Sequence, residues 1–192
     1  MSKRTDKLYF DALYDKGYDP WNFEGSPYEK AKYRRTMEAI PDRRYSSALE
    51  IGCSIGVFTQ LLAPRCERLL AVDISEKPLA QAKERLHEQD HVDFMLAAVP
   101  QTFPDGTFDL IVMSEVAYYL SASELYETLQ KIIGSLTAQG IFAATHWRPA
   151  IEDCSMTGDE VHEVMLGHEE WQAIYHYQED SYRIDVFKKR VL

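Results

Sequence analysis

Glu50-Ile51-Gly52-Cys53-Ser54-Ile55-Gly56, with Asp73 seventeen positions after Gly56, is spaced to hold a nucleoside. The glycines allow a tight turn and close approach of main-chain N–H groups to a ligand. A helix opening just beyond the turn offers more N–H groups to a carboxylate. The seventeen-residue gap suits one short helix plus one strand. Asp73 then ends the second strand, where an acid accepts bonds from both hydroxyls of a ribose. Three chemistries compete for this turn. S-adenosylmethionine (SAM) binding needs those glycines and that acid. A serine hydrolase would use Ser54, because Gly52-x-Ser54-x-Gly56 matches the nucleophile elbow. That elbow follows several strands and an upstream oxyanion loop in a longer chain, and none of these precedes residue 47 here. A dinucleotide site needs G-x-G-x-x-G, but position 54 is Ser and position 57 is Val. A site without phosphates to cradle tolerates those residues better. A plain strand–helix turn with no ligand accounts poorly for Glu50, Gly52, Gly56 and Asp73 together.

The elements that must position these residues alternate. Strands are expected at 47–51, 68–72, 92–96, 108–113 and 141–145, the last entered by a turn at Gln139-Gly140. Between them lie helices at 57–62 (closed by Pro64), 76–87 (capped by Ser75) and 122–136 (opened by the capping box Ser121-x-x-Glu124). Thr157-x-x-Glu160 opens a late helix, and 171–177 with 182–187 reads as a hairpin that leaves one antiparallel edge strand. Ahead of the first strand, Lys3–Asp15 reads as a helix. Ser26-Pro27-Tyr28-Glu29 starts another that stops before Pro41. Alternation of this kind implies a mostly parallel sheet with helices on both faces.

At 192 residues the chain is expected to form one domain, with 1–44 as an N-terminal helical lid and 45–192 as the binding core. A net charge of -10 argues against a nucleic-acid partner, which needs a basic face. Three cysteines without C-x-x-C spacing fit reduced thiols and no metal site. No apolar run approaches membrane-spanning length and no leader is visible, so a cytoplasmic location is expected.

The chain resembles the small class I SAM-dependent methyltransferases of the NodS type, and the related methyltransferase domains fused to PIG-L-type deacetylases. The carriers are Asp19-Pro20-Trp21, Pro27-Tyr28-Glu29, Ala48 to Gly56, Ala71-Val72-Asp73, Ser114-Glu115-Val116 with Tyr118-Tyr119-Leu120, and His146-Trp147-Arg148. The resemblance implies a three-layer Rossmann-like α/β fold with a mostly parallel seven-stranded sheet and an antiparallel C-terminal hairpin strand. It implies methyl transfer from SAM, leaving S-adenosylhomocysteine, to the free amine of a deacetylated amino sugar or a similar polar small molecule. A functional link to a deacetylase or glycosyltransferase follows from that. Carried across residue by residue, the cofactor site comprises Trp21, Lys32, Glu50, Gly52, Cys53, Ser54, Gly56, Asp73, Ile74, Ala97, Ala98 and Ser114. Trp21 would pack near the cofactor and Lys32 would meet its carboxylate. Such proteins often place an acid after the third strand to meet adenine. Here the run is Leu96-Ala97-Ala98-Val99-Pro100, so adenine falls to backbone groups of Ala97 and Ala98.

Methyl transfer is an in-line displacement, and the enzyme must chiefly align the nucleophile and exclude water. An amine must arrive unprotonated, so a base within reach helps. Glu115 after the fourth strand and His146 after the fifth are the candidate bases, and one of Tyr118 and Tyr119 is expected to line the site. For Arg148, pairing with Glu115 or with an acidic substrate group stands level with a surface role. Transfer to a hydroxyl or carboxylate is the alternative, and it would lean more on His146.

Overall fold

The computed structural model describes residues 7–191, so the expected helix start at Lys3 lies outside the described residues. Helix α1 spans Lys7–Lys16 and α2 spans Pro27–Ala39. Ser26 caps α2 by accepting from the Glu29 N–H, and Pro27 fills a first-turn position whose N–H would have no partner. There follow β1 (Ala48–Ile51), α3 (Val57–Leu62), β2 (Leu69–Asp73), α4 (Glu76–Arg85), β3 (Val92–Leu96), β4 (Phe108–Ser114), α5 (Ala122–Ser135), β5 (Leu136–Trp147), α6 (Gly158–Leu166), β6 (Trp171–Gln178) and β7 (Tyr182–Lys189). Both expected capping boxes form, at Ser121/Glu124 and Thr157/Glu160.

The seven strands lie in the order β3-β2-β1-β4-β5-β7-β6. The first five are mutually parallel, and β7 runs antiparallel to both of its neighbours. The antiparallel strand is therefore not at the edge as expected: β7 inserts beside β5, and β6 holds the edge. Strand β4 is buried on both faces. Ile111 and Met113 join the core under α5 and α6, while Leu110 and Val112 join the core under α2 and α3. A strand covered on both sides has this near-continuous apolar character.

Strand β5 begins earlier and ends later than the sequence suggests. Leu136 already pairs with Phe108, and the chain rejoins at Ile141 opposite Leu110. Gln139, at φ +64°, lies within this irregularity, so the expected turn is a bulge inside one strand. The strand continues through His146 to Trp147, which decides where His146 points.

Strand order reverses between β1 and β4, and their carboxyl ends open a crevice there. Gly56 serves this point by packing. It sits at φ +79°, and a Cβ there would lie 2.9 Å from the Ala82 Cβ of α4. Gly56→Ala is expected to cost about 1–3 kcal/mol from the left-handed backbone alone, measured by urea unfolding. A change within 0.5 kcal/mol would mean that α4 moves freely away.

Candidate active site

A cleft of about 1220 Å³ opens over the carboxyl ends of β1 to β5. Gly52, Cys53 and Ser54 line it from the turn after β1, Asp73 and Ile74 from β2, Ala97 and Ala98 from β3, and Ser114 from β4. Trp21, Lys32 and Glu50 also line it. Gly56 does not; its part is the contact with α4. Gly52 has φ +86°, and an added Cβ would run into the Val116 side chain, so β1 and the loop after β4 can meet only at a glycine.

Asp73 accepts from the Ser54 N–H and the Ser75 N–H, each at 2.9 Å. Those bonds fix its carboxylate at the edge of the glycine turn. Burial nevertheless pushes its pKa up to about 6. Glu50 is buried with one oxygen, Oε2, that has no hydrogen-bond partner. Burial pushes it up to about 7. An unpartnered buried carboxylate oxygen and a glycine that admits no side chain fit a ligand with hydroxyl and ammonium donors, as SAM is.

The backbone expected to read adenine is already engaged. The Ala97 N–H donates to the Asp73 carbonyl at 2.9 Å, and the Ala98 N–H to the Thr102 hydroxyl at 2.7 Å. An adenine would meet the Ala98 N–H only by displacing Thr102, a cleft residue that nothing in the sequence pointed to.

Lys32 does not stand free for a cofactor carboxylate. Its Nζ lies 2.6 Å from Glu115 Oε1 and 2.9 Å from Glu29 Oε2. Burial alone would lower its pKa, but the two carboxylates outweigh it and hold the ammonium above the ordinary lysine value. Burial pushes Glu29 up, against the pull of Lys32. The sequence gives Glu29 a place in the helix start and in the Pro27-Tyr28-Glu29 block, but no part in the site. Its place three positions before Lys32 on α2 is the spacing that pairs side chains on one helix face.

Glu115 sits at φ +57° just past β4 and gathers three donors. Besides Lys32, its Oε2 accepts from the Tyr118 hydroxyl at 2.5 Å and the Trp147 N–H at 2.9 Å. Burial, then the charge of Glu115, drives the Tyr118 pKa well above the phenolic value, so its proton stays on oxygen. Tyr118 and Tyr119 both line the cleft, although only one was expected. They lie on a short 3-10 turn (Ala117–Tyr119) at the rim, and the second ring leans on Phe10 of α1.

His146 does not reach the cleft. Side chains alternate along β5: Thr145 faces α2 through Thr36, and His146 turns the other way, to α6. It is fully buried, its Nε2 accepts from the Ala117 N–H at 3.1 Å, and its Nδ1 lies 3.0 Å from His162 Nε2. Burial holds both rings below the ordinary histidine pKa. Arg148 does not meet Glu115; it pairs with Asp159. Ser54, the candidate hydrolase nucleophile, shares a 2.5 Å hydrogen bond with Tyr14 of α1, and no histidine among the described residues lines the cleft.

The fold, with its cleft over the strand ends at the switch point, is that of the class I SAM-dependent methyltransferases. Within that class the chain belongs to the NodS family: the family model described as Nodulation protein S (NodS) matches residues 11–165. The chain is 31% identical over 124 residues to Nodulation protein S of Sinorhizobium fredii (strain NBRC 101917 / NGR234). That stretch covers 64% of this chain and 57% of that protein, so the chain spans little more than half the length of this relative. N-methyltransferase NodS from Bradyrhizobium japonicum WM9, solved with S-adenosyl-l-homocysteine, shares the fold at a TM-score of 0.86. It is 23% identical, over 96% of this chain and 99% of that one. Phosphoethanolamine N-methyltransferase 1 of Arabidopsis thaliana is 27% identical over 118 residues, covering 60% of this chain and 24% of that protein.

The raised acids set a pH dependence. A carboxyl must be ionised to accept from two hydroxyls or an ammonium, and Asp73 and Glu50 lose their protons near pH 6 and 7 in the ligand-free protein. Ligand binding and deprotonation are then linked, so affinity rises with pH and levels off above about 8. Calorimetry with S-adenosylhomocysteine should show affinity at pH 8 at least about tenfold tighter than at pH 5.5. A flat or falling profile would mean that the ligand accepts these carboxyls protonated.

Proposed function

We propose that the chain transfers a methyl group from SAM to the free amine of a deacetylated amino sugar or a similar polar small molecule. The observation that carries this reading is the Lys32–Glu115–Glu29 group with Tyr118 at the carboxyl end of β4, beside the glycine turn that Val116 packs over. An ionised carboxylate offers about four acceptor positions. Three on Glu115 are used, which leaves one to receive an N–H from an incoming amine and orient its lone pair. The shared lysine keeps Glu115 a modest acceptor, and an amine with its own lone pair needs no stronger base.

Transfer to oxygen is the weaker reading. A sugar hydroxyl needs a base in contact with it, and His146, the histidine that reading leaned on, is buried with both ring nitrogens engaged. A hydrolase using Ser54 has no cleft histidine to activate it. A phosphorylated amine also fits poorly. Lys7 and Lys32 are the only lysines or arginines among the described cleft residues, and both are paired with carboxylates. Among the described residues that leaves no uncommitted cation for a phosphate, and so counts against the substrate that the Arabidopsis enzyme is named for.

Residues 7–44 serve as the lid in this reading. α1 is tied to the cofactor turns by Tyr14 to Ser54 and by the Ser75 hydroxyl to Asp11 at 2.6 Å. Trp21 stacks on Phe23 in the loop that follows. The reaction would follow a step that frees an amine by hydrolysing its amide, which is deacetylase chemistry.

Mass spectrometry should detect a one-methyl gain on a glucosamine oligomer with SAM, none on the N-acetylated oligomer, and none on phosphoethanolamine. Glu115→Gln should lower kcat about 100-fold while S-adenosylhomocysteine affinity stays within a few-fold. No binding of S-adenosylhomocysteine at millimolar concentration sinks the whole reading. Methylation of phosphoethanolamine sinks the acceptor assignment.

A further inference from the structure

Behind the cleft, on the α6 face of the sheet, runs a buried chain of side chains that the proposed chemistry does not use. It begins at the Ala117 N–H, passes through His146 and His162, and ends on Asp185 of β7, where His162 Nδ1 lies 2.5 Å from Oδ2. Asp185 is fully buried. Its Oδ2 also accepts from Arg183 Nε at 2.7 Å, and His176 of β6 meets Oδ1 at 2.7 Å. Arg183 continues to Glu163 of α6 at 2.8 Å. The register places these groups together: His146 lies opposite Arg183, and Ala144 opposite Asp185, across β5 and β7.

One fact sets the direction of every bond in this chain. A backbone amide can only donate, so His146 Nε2 must accept, and its proton sits on Nδ1. His146 Nδ1 then donates to His162 Nε2, which places the second proton on His162 Nδ1, facing the carboxylate. Both rings are neutral and share one tautomer. The polarity runs unbroken from Ala117 to Asp185, whose charge Arg183 balances.

Ala117 opens the 3-10 turn that carries Tyr118, and it lies two residues after Glu115. Those two side chains meet each other in the cleft. Val116, between them in sequence, packs over Gly52. The turn is therefore held from the front by the cofactor loop and from behind by an imidazole. We propose that His146, oriented by His162 and Asp185, is a positioning residue that holds the 115–118 turn so that Glu115 and Tyr118 face the methyl acceptor. His146 touches neither cofactor nor acceptor and acts through the Ala117 N–H. Only the kinetic part of this inference rests on the methyl-transfer reading.

The test begins with the unmodified protein. ¹⁵N NMR should show through-hydrogen-bond coupling between the Ala117 amide nitrogen and His146 Nε2, and between His146 Nδ1 and His162 Nε2. Two substitutions then divide the role. In His146→Gln the side-chain carbonyl reaches the Nε2 position and still accepts from Ala117, but the link to His162 is lost. In His146→Asn the amide keeps the partner at His162 and leaves the Ala117 N–H without an acceptor. The Asn variant should lose about tenfold in kcat on a glucosamine oligomer with little change in S-adenosylhomocysteine affinity, the order expected from one buried unsatisfied donor. The Gln variant should stay within about threefold. The Tyr118 ring and Glu115 carboxylate resonances should move in His146→Asn and not in His146→Gln. Missing couplings, or equal behaviour of the two variants, would overturn the proposal. If the unmodified protein methylates no glucosamine oligomer, the acceptor reading falls alone. The relay is then judged on the couplings and on the Glu115 and Tyr118 resonances.

Discussion

A buried ammonium constrains much of this molecule. Lys32 is 2% exposed, and an isolated charge at that depth would cost several kcal/mol. Glu29 and Glu115 remove most of that penalty, and each ties Lys32 to a different part of the chain. Glu29 comes from the same helix, one turn earlier. Glu115 comes from the far side of the sheet's switch point, 83 residues away. The pairing docks α2 against β4 and β5, and so positions the preceding segment over the cleft. Removing Lys32 would leave two carboxylates without their counter-charge, and this makes the group a register mark as well as a part of the site. Tyr28 adds to it: its ring lies 5.3 Å from the Lys32 ammonium and edge-on to Trp147.

The same economy appears on the opposite face. Asp185 is balanced by Arg183, and His162 and His146 carry its orientation inward as neutral rings. Two polar systems thus approach the 115–118 turn from opposite sides of the sheet, one charged and one neutral. Between them the turn crosses Gly52, where no side chain fits. A residue at φ +57° persists only where its surroundings over-determine it, and Glu115 has such surroundings.

Local rules in the sequence carried most of the fold. The caps at Ser26, Ser121 and Thr157, the glycine turn and Asp73 follow from spacings of three to seventeen residues, and the structure keeps them. What was not legible depends on longer range or on parity. The counter-charges of Lys32 could not be counted without knowing that Glu115 returns to α2. The sequence pattern ends the fifth strand at Thr145 and so leaves His146 in the loop beyond it. Two further residues of β5, past a bulge at Gln139, turn its ring to α6 by simple alternation. Tyr118 and Tyr119 are parted by an α-helical angle in the sequence reading and further still, by about 120°, on a 3-10 turn; both rings line the cleft because the turn stands at its rim. Ala97 and Ala98 line the cleft as expected, but Thr102 reaches back four residues to occupy the Ala98 N–H, and no motif announces it.

Charge movement during methyl transfer gives these placements a common purpose. The positive charge begins on the sulfonium and ends on the acceptor nitrogen, leaving a neutral thioether. A site that favours the transition state must welcome cationic character where it arrives, not merely where it starts. Glu29, Glu115 and Lys32 together carry one net negative charge when both acids are ionised, and it sits at the acceptor end. A hydroxyl acceptor would have to shed its proton to a base during attack, and none of the described histidines lines the cleft to take it. An amine makes its bond first and loses its proton afterwards to solvent or to Glu115. An acceptor that carried its own phosphate would bring negative charge beside carboxylates that are already in excess. On the proposed reading, the electrostatics at the end of β4 therefore suit nitrogen better than oxygen, and a neutral polar body better than an anionic one.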